Sequence, residues 1–206
     1  MANAIIKIAI TGGPCAGKTS SMKWLKEYLE KKGYLAFILQ EPATELLSSG
    51  ATYTVCNGAV PFQSNVLALH IARERLYTNI AHQVQCDNNT VILLCDRGAV
   101  DCLAYLNEEE KKIFFQKNAQ SHEMLLARYN AVFHMYSVAS ALPDLYSSES
   151  NSVRFETAEE AILSDSTLEV LWNKHSYYKK ITATNTFEEK LAQLAKEIDT
   201  FLYSLS

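Results

Sequence analysis

The chain has 206 residues, of which 48% are apolar and 20% are charged, and its formal net charge is −4 at pH 7. This length suffices for one α/β domain with a sizeable core, and the composition argues against wholesale disorder. A negative net charge, without long runs of lysine or arginine, argues against a nucleic-acid partner. The five cysteines are an odd number without CxxC spacing, so neither a disulfide framework nor a zinc site is expected.

The start of the chain is apolar, but Lys7 interrupts it and a glycine-rich segment follows at once. This pattern predicts a first strand rather than a signal peptide. No stretch of the sequence has the apolar length needed to span a membrane. We therefore expect a soluble, cytoplasmic protein without integral membrane contact. The sequence leaves the oligomeric state open, a homodimer included.

Predicted strands and helices alternate along the chain. Short apolar runs, often β-branched, predict five strands, at residues 5–11, 34–40, 91–95, 131–136 and 178–183. Periodicity and end signals predict the main helices, at residues 18–32, 61–85, from 107, just before 129, at 157–174 and from 186. The alternation predicts a three-layer α/β fold with a five-stranded parallel sheet. We expect residues 1–206 to form a single P-loop domain, with residues 141–156 as a small lid.

The segment GGPCAGKT matches the phosphate-loop pattern GxxxxGK[ST] in full and lies between the first predicted strand and helix. Its glycines permit the backbone path that turns successive N–H groups toward an anion, and the helix adds its positive dipole end. We expect Lys18 to reach the β- and γ-phosphates and the Thr19 hydroxyl to ligate Mg²⁺. The pattern predicts Mg²⁺ with ATP or GTP, bound by Gly12, Gly13, Pro14, Cys15, Ala16, Gly17, Lys18, Thr19 and Ser20.

The run VILLCDRG ends an apolar strand on Asp96. A carboxylate at this strand end suits a Walker-B role, holding Mg²⁺ directly or through water. The alternative is an ordinary aspartate that caps the next helix. Arg97 is expected to contact a phosphate bidentately, to orient Glu41, or to form a structural ion pair.

Several segments together resemble one P-loop family: TGGPCAGKT, EPATELL, FQ in the long helix, CDRGAVDCLAY and NSVRFETAEEA with a later Trp and His. That family groups the ribosylnicotinamide-kinase-like domains with the TRPL-translocation-defect proteins and is often filed under an AAA heading. The resemblance covers about residues 8–187, nearly the whole chain. The chain is too short for a full AAA+ module, so we expect no ring-shaped motor.

A wider resemblance is to the deoxynucleoside and thymidylate kinases. Matched position by position, it implies Glu41 as general base, Phe62 and Gln63 as contacts to a nucleoside-like acceptor, and Asp96 with Arg97 at the phosphates. Phosphoryl transfer needs little more than such positioning and charge neutralisation.

The sequence departs from the pattern of those kinases at two points. Their lids usually carry several arginines, whereas residues 141–156 contain only Arg154. Arg154 either moves in toward the phosphates as a catalytic residue or stays exposed without a role. Gly98 stands where a larger residue often follows the acidic-Arg pair.

Four further residues are weighed for supporting roles. Glu45 and Asp101 follow Glu41 and Asp96 by one turn, which suits a supporting position, but solvated helix residues are the stronger expectation. For Trp172 we expect packing, and for His175 a charge at a helix end, with contact to the nucleotide base as the alternative.

Two function classes fit these residues. One is a small-molecule kinase that transfers the γ-phosphate to a nucleoside-like hydroxyl compound. The other is a nucleotide-dependent switch or slow NTPase, GTP-preferring in the translocation-defect branch, that acts on a protein or phosphoinositide partner. The chain has no NKxD motif, so its sequence does not set the choice between ATP and GTP.

Overall fold

The computed structural model describes residues 4–14, 16–84, 90–136, 158–182 and 186–205. Five parallel strands form one sheet in the order β2-β3-β1-β4-β5. In chain order the strands are β1 Ile5–Thr11, β2 Leu35–Leu39, β3 Val91–Asp96, β4 Ala131–Met135 and β5 Tyr178–Ile181.

Helices connect the strands and cover both faces of the sheet. They are α1 Lys18–Lys31, α2 Pro42–Ser48, α3 Ala59–Val84, a 3₁₀ helix Ala99–Tyr105, α4 Glu108–Asn118, α5 His122–Leu126, α6 Ala158–Trp172 and α7 Phe187–Ser204. No helix among the described residues is both long enough and apolar enough to cross a membrane.

The sheet buries two separate apolar layers. One face packs against α1 and α7, with Ile10, Leu25 and Ile198 among the buried side chains. The other face packs against α3, α6 and their neighbours and includes Phe62 and Trp172. Strands covered on both faces lose nearly all contact with water, which explains the uninterrupted apolar run of β3.

The register brings the carboxyl ends of three strands to one edge. Ile10 in β1 is paired with Asp96 in β3, and Thr11 is paired with His134 in β4. The strand order of the sheet puts β1 in the centre, with β3 on one side and β4 on the other. In open α/β sheets ligands bind in the crevice beyond these strand ends. The phosphate loop follows β1 at this edge.

The predicted five-stranded parallel sheet is confirmed, and most element boundaries agree within one or two residues. The long helix begins at Ala59 rather than Pro61. Capping by Asn107 and Thr186 is present: each side chain accepts a hydrogen bond from the backbone N–H three residues on, Glu110 and Glu189. The sequence prediction gave no bounds for the short helix α2 or for the 3₁₀ helix, and both carry residues of the site described below.

Four predictions concern positions outside the described residues. They are Cys15 in the phosphate loop, the first residue of the helix predicted at 157–174, Arg154, and the lid at residues 141–156.

Candidate functional site: a phosphate loop beside a lined cavity

The phosphate loop joins β1 to α1, as its motif predicts. Gly12 has a φ of 142°, and a Cβ there would lie 2.0 Å from the Met135 carbonyl oxygen, so only glycine fits. Gly13, Pro14, Ala16 and Gly17 complete the described part of the loop, and Lys18, Thr19 and Ser20 form the first turn of α1. The N–H groups of this turn have no partner within the helix and suit an anion.

Lys18 lies folded against the loop. Its side chain is buried, and Nζ donates hydrogen bonds to the carbonyl oxygens of Gly12 at 2.8 Å and Gly13 at 2.6 Å. An ammonium group held at the mouth of the loop is suited to neutralise bound phosphate oxygens.

Thr19 and Asp96 meet at the loop. The Thr19 Oγ1 lies 3.4 Å from Asp96 Oδ2. Two neighbouring oxygen ligands of an octahedral Mg²⁺ ion lie about 3 Å apart, because each is about 2.1 Å from the metal. The pair therefore fits the ion. Gly98, not Asp96, occupies the cap position of the 3₁₀ helix, so the alternative that Asp96 caps the next helix is wrong.

Asp96 is mostly buried, and burial raises the pKa of its carboxyl group. Nearby Glu41 raises that pKa further, whereas Lys18, Arg97 and the Thr19 hydroxyl lower it. A bound divalent cation would favour the carboxylate form in the same way that Lys18 does.

Glu41 and Arg97 form an ion pair at the edge of the loop. Arg97 Nε donates to Glu41 Oε1 at 2.5 Å, and the Thr44 hydroxyl donates to Glu41 Oε2 at 2.7 Å. The Arg97 Nη1 atom also lies 3.3 Å from the Gly12 carbonyl oxygen. The φ of Arg97 is 66°, in the left-handed region that a non-glycine residue adopts only at a cost. Such strain is typical of functional sites.

A cavity of about 490 Å³ opens beside this ion pair. Its size falls in the range of small-molecule sites. Its walls combine aromatic and aliphatic side chains with a few polar groups, namely Glu41, Ala43, Thr44, Leu47, Ser48, Tyr53, Phe62, Gln63, Arg97 and Tyr105.

The long helix α3 supplies one wall of the cavity. Phe62 is buried, and its ring centroid lies 4.2 Å from that of Tyr53. Gln63 is also buried and donates from Nε2 to the Tyr53 hydroxyl at 2.9 Å. Burial raises the pKa of Tyr53, which keeps the hydroxyl protonated. The structure thus brings the predicted residues Glu41, Phe62, Gln63 and Arg97 into one cavity.

Sequence reasoning missed two buried side chains that form hydrogen bonds with the backbone of the phosphate loop. Asp165 in α6 accepts a hydrogen bond from the Gly13 N–H at 2.6 Å, and Lys190 in α7 donates to the Ala16 carbonyl oxygen at 3.0 Å. Burial lowers the pKa of Lys190 to about 8, against an opposing effect of Asp165. The available signal was a charged residue within the apolar stripe of each helix, since Leu168 and Leu194 are buried close by.

The stronger expectation for one supporting residue, Asp101, is wrong. Asp101 is not a solvated helix residue: it is 3% exposed and accepts hydrogen bonds from Thr11 Oγ1 and Trp172 Nε1. His175 is buried just beyond the end of α6, and its Nε2 lies 2.9 Å from the Tyr129 carbonyl oxygen. Trp172 is fully buried, as packing requires. Glu45 is exposed as expected and pairs with Arg73.

One comparison with known proteins identifies the family. The family model AAA_28, described as an AAA domain, matches residues 7–190, which is most of the chain and includes both the phosphate loop and the cavity wall. No curated protein matches the chain. The match fits the P-loop geometry and the paired Thr19 and Asp96. The chain belongs to the AAA_28 family of AAA domains and is a P-loop nucleotide-binding protein.

Proposed function

We propose that this protein is a Mg²⁺-dependent small-molecule kinase that transfers the γ-phosphate of ATP or GTP to a hydroxyl group of a nucleoside-like acceptor. The observation that carries the proposal is the cavity beside the phosphate loop, with the Glu41 carboxylate on its wall. A protein that only hydrolyses nucleotide needs to admit water, and a lined cavity of this size next to the loop exceeds that need.

Transfer would use the residues as follows. Lys18 and the loop N–H groups bind the phosphates, and Glu41 takes the proton of the acceptor hydroxyl. The acceptor oxygen forms a bond to the γ-phosphorus, while the bond between that phosphorus and the β–γ bridging oxygen breaks. The products are a phosphomonoester and a nucleoside diphosphate. Mg²⁺, held by Thr19 and Asp96, would neutralise charge on the phosphates.

The cavity walls support an acceptor with a flat ring. The Phe62 and Tyr53 rings offer an aromatic surface on which a base can stack, and the Gln63 amide can hydrogen-bond a base edge. Glu41 lies on the wall of the same cavity, where a sugar hydroxyl can approach the phosphate loop. This arrangement supports a nucleoside-like molecule over an aliphatic one.

The resemblance to ribosylnicotinamide-kinase-like domains and to deoxynucleoside kinases supports the same acceptor class. The translocation-defect branch supports the alternative, a nucleotide-dependent switch with a protein or phosphoinositide partner. Both readings share nucleotide binding, and they differ in the destination of the γ-phosphate.

The test measures where the labelled γ-phosphate goes. The purified protein is incubated with Mg²⁺ and γ-labelled ATP or GTP, with and without a panel of nucleosides that includes nicotinamide riboside. Label on one added nucleoside establishes the kinase and its acceptor. Label released only as free phosphate, or retained on bound nucleotide, contradicts the proposal and favours the switch.

A further inference from the structure

Arg97 connects the phosphate loop to the acceptor cavity. Its guanidinium contacts Glu41 through Nε, and through Nη1 it lies near both the Gly12 carbonyl oxygen and Asp101 Oδ2, the latter at 3.4 Å. Because its backbone is left-handed, surrounding contacts must hold it in this conformation.

Asp101 is the buried anchor for Arg97. Thr11, at the end of β1, donates to Asp101 Oδ2 at 2.9 Å, and the Trp172 indole N–H donates to Asp101 Oδ1 at 2.6 Å. These two neutral donors and Arg97 approach one carboxylate from β1, α6 and the β3 end, so they fix its orientation. A buried carboxylate is stable only with such partners.

Trp172 fits this position because residue 98 is glycine. A Cβ at Gly98 would lie 2.6 Å from the Trp172 ring, and nothing larger than glycine fits without moving the indole. On another side the Tyr129 ring packs edge-on against it, with centroids 5.5 Å apart. The departure at Gly98 from the kinase pattern therefore has a physical reason: it admits the indole whose N–H reaches Asp101.

We propose that Asp101 and Trp172 are positioning residues that act through Arg97: Trp172 orients Asp101, Asp101 holds Arg97, and Arg97 holds Glu41 beside the cavity while contacting the phosphate loop. The assignment rests on the proposed function for Glu41. It predicts that nucleotide binding at the loop changes the position of the Glu41 carboxylate in the cavity. It also predicts that nucleotide binding changes the surroundings of the Trp172 indole.

The first test changes each tryptophan in turn. The chain has two, and Trp24 is the matched control because it stacks on Tyr28 in α1 and lines a different surface groove. Trp172→Phe keeps a ring but removes the N–H. We expect γ-phosphate turnover to fall about tenfold, in line with the loss of one hydrogen bond to a charged group. The Kd for Mg·ATP or Mg·GTP should stay within about twofold of the value for Trp24→Phe.

The second test needs no turnover. In Trp24→Phe the only remaining tryptophan is Trp172, so its fluorescence reports on the indole beside Asp101. Saturation with Mg·ATP or Mg·GTP should change its emission, and adding Asp101→Asn should abolish the change while calorimetry still detects nucleotide binding.

The outcomes separate the two proposals. An emission change that depends on Asp101, without transfer to any nucleoside, upholds the connection and contradicts the kinase. Equal turnover in Trp172→Phe and Trp24→Phe, or an indole that does not respond although nucleotide binds, overturns the positioning role whatever the reaction is.

Discussion

The phosphate loop and the cavity beside it are built in different ways. The phosphate loop is one continuous segment, and its backbone N–H groups and helix end do the binding. The cavity is assembled from side chains of α2, α3, the β3 end and the 3₁₀ helix, which are separate segments of the sequence. The loop depends on one continuous segment that has Gly12 and Lys18 at fixed positions, whereas the cavity depends on side chains from several segments.

This difference predicts where mutations act. Changes at the loop should impair nucleotide binding whatever the acceptor is, and changes in the cavity should impair only the step or the substrate that the cavity handles. A cavity variant that loses nucleotide affinity, or a loop variant that loses only acceptor affinity, would break the comparison.

The largest effect is expected for Lys18→Ala. Removal of the ammonium group leaves the phosphate charge without its nearest neutralising side chain, so nucleotide affinity should fall by roughly a hundredfold or more. Titration calorimetry with Mg·ATP and Mg·GTP measures it. Lys23→Ala, on the exposed face of the same helix, is the control and should bind normally. Full affinity in Lys18→Ala would mean that nucleotide binds elsewhere.

Glu41→Gln should act on the chemical step alone. Loss of the general base is expected to lower kcat for transfer by about 10²–10⁴-fold, while the nucleotide Kd stays near that of the wild type. Quenched-flow transfer assays and calorimetry measure the two quantities. Glu45→Gln removes an exposed carboxylate of α2 that pairs with Arg73 and should leave kcat unchanged. Undiminished transfer in Glu41→Gln would rule out the base.

Gln63→Leu should act on acceptor binding. The buried amide would be replaced by an apolar group of similar size, and the base edge of the acceptor would lose a hydrogen bond worth about 1–3 kcal/mol. The acceptor KM should rise about 10–100-fold, and the nucleotide KM should not change. Gln116→Leu, on the exposed surface of α4, controls for the substitution itself. A nucleotide KM that rose instead would put Gln63 on the nucleotide side.

The same difference explains what the sequence could predict. Strand and helix periodicity and the loop motif are local, so the sheet and the positions of Lys18, Thr19 and Asp96 were predictable. The roles of Asp101 and Trp172 were not, because a hydrogen bond between residues so far apart in the chain depends on how α6 packs over the 3₁₀ helix. The departure at Gly98 was visible in the sequence, but only the packed indole explains it.

The smallest effect is expected for Asp96→Asn. This variant tests whether the buried Asp96 carboxylate beside the phosphate loop lowers the stability of the folded protein. Burial raises the pKa of Asp96 in the folded state above its ordinary value of 3.8. At a pH between the unfolded-state pKa of 3.8 and the raised folded-state pKa, the folded chain holds a proton that the unfolded chain has released. The free energy of unfolding therefore falls as the pH rises through this window. At neutral pH the ionised carboxylate therefore destabilises the nucleotide-free protein, and Asp96→Asn should raise its Tm. The gain should fade as the pH falls below 3.8, because the carboxyl then becomes protonated in the unfolded state as well as in the folded state. In thermal scans the variant should also lose the additional stability that Mg²⁺ gives to the nucleotide complex.

A lower Tm at neutral pH would mean that Lys18 and Arg97 more than compensate for burial, and the metal site would then carry no stability cost.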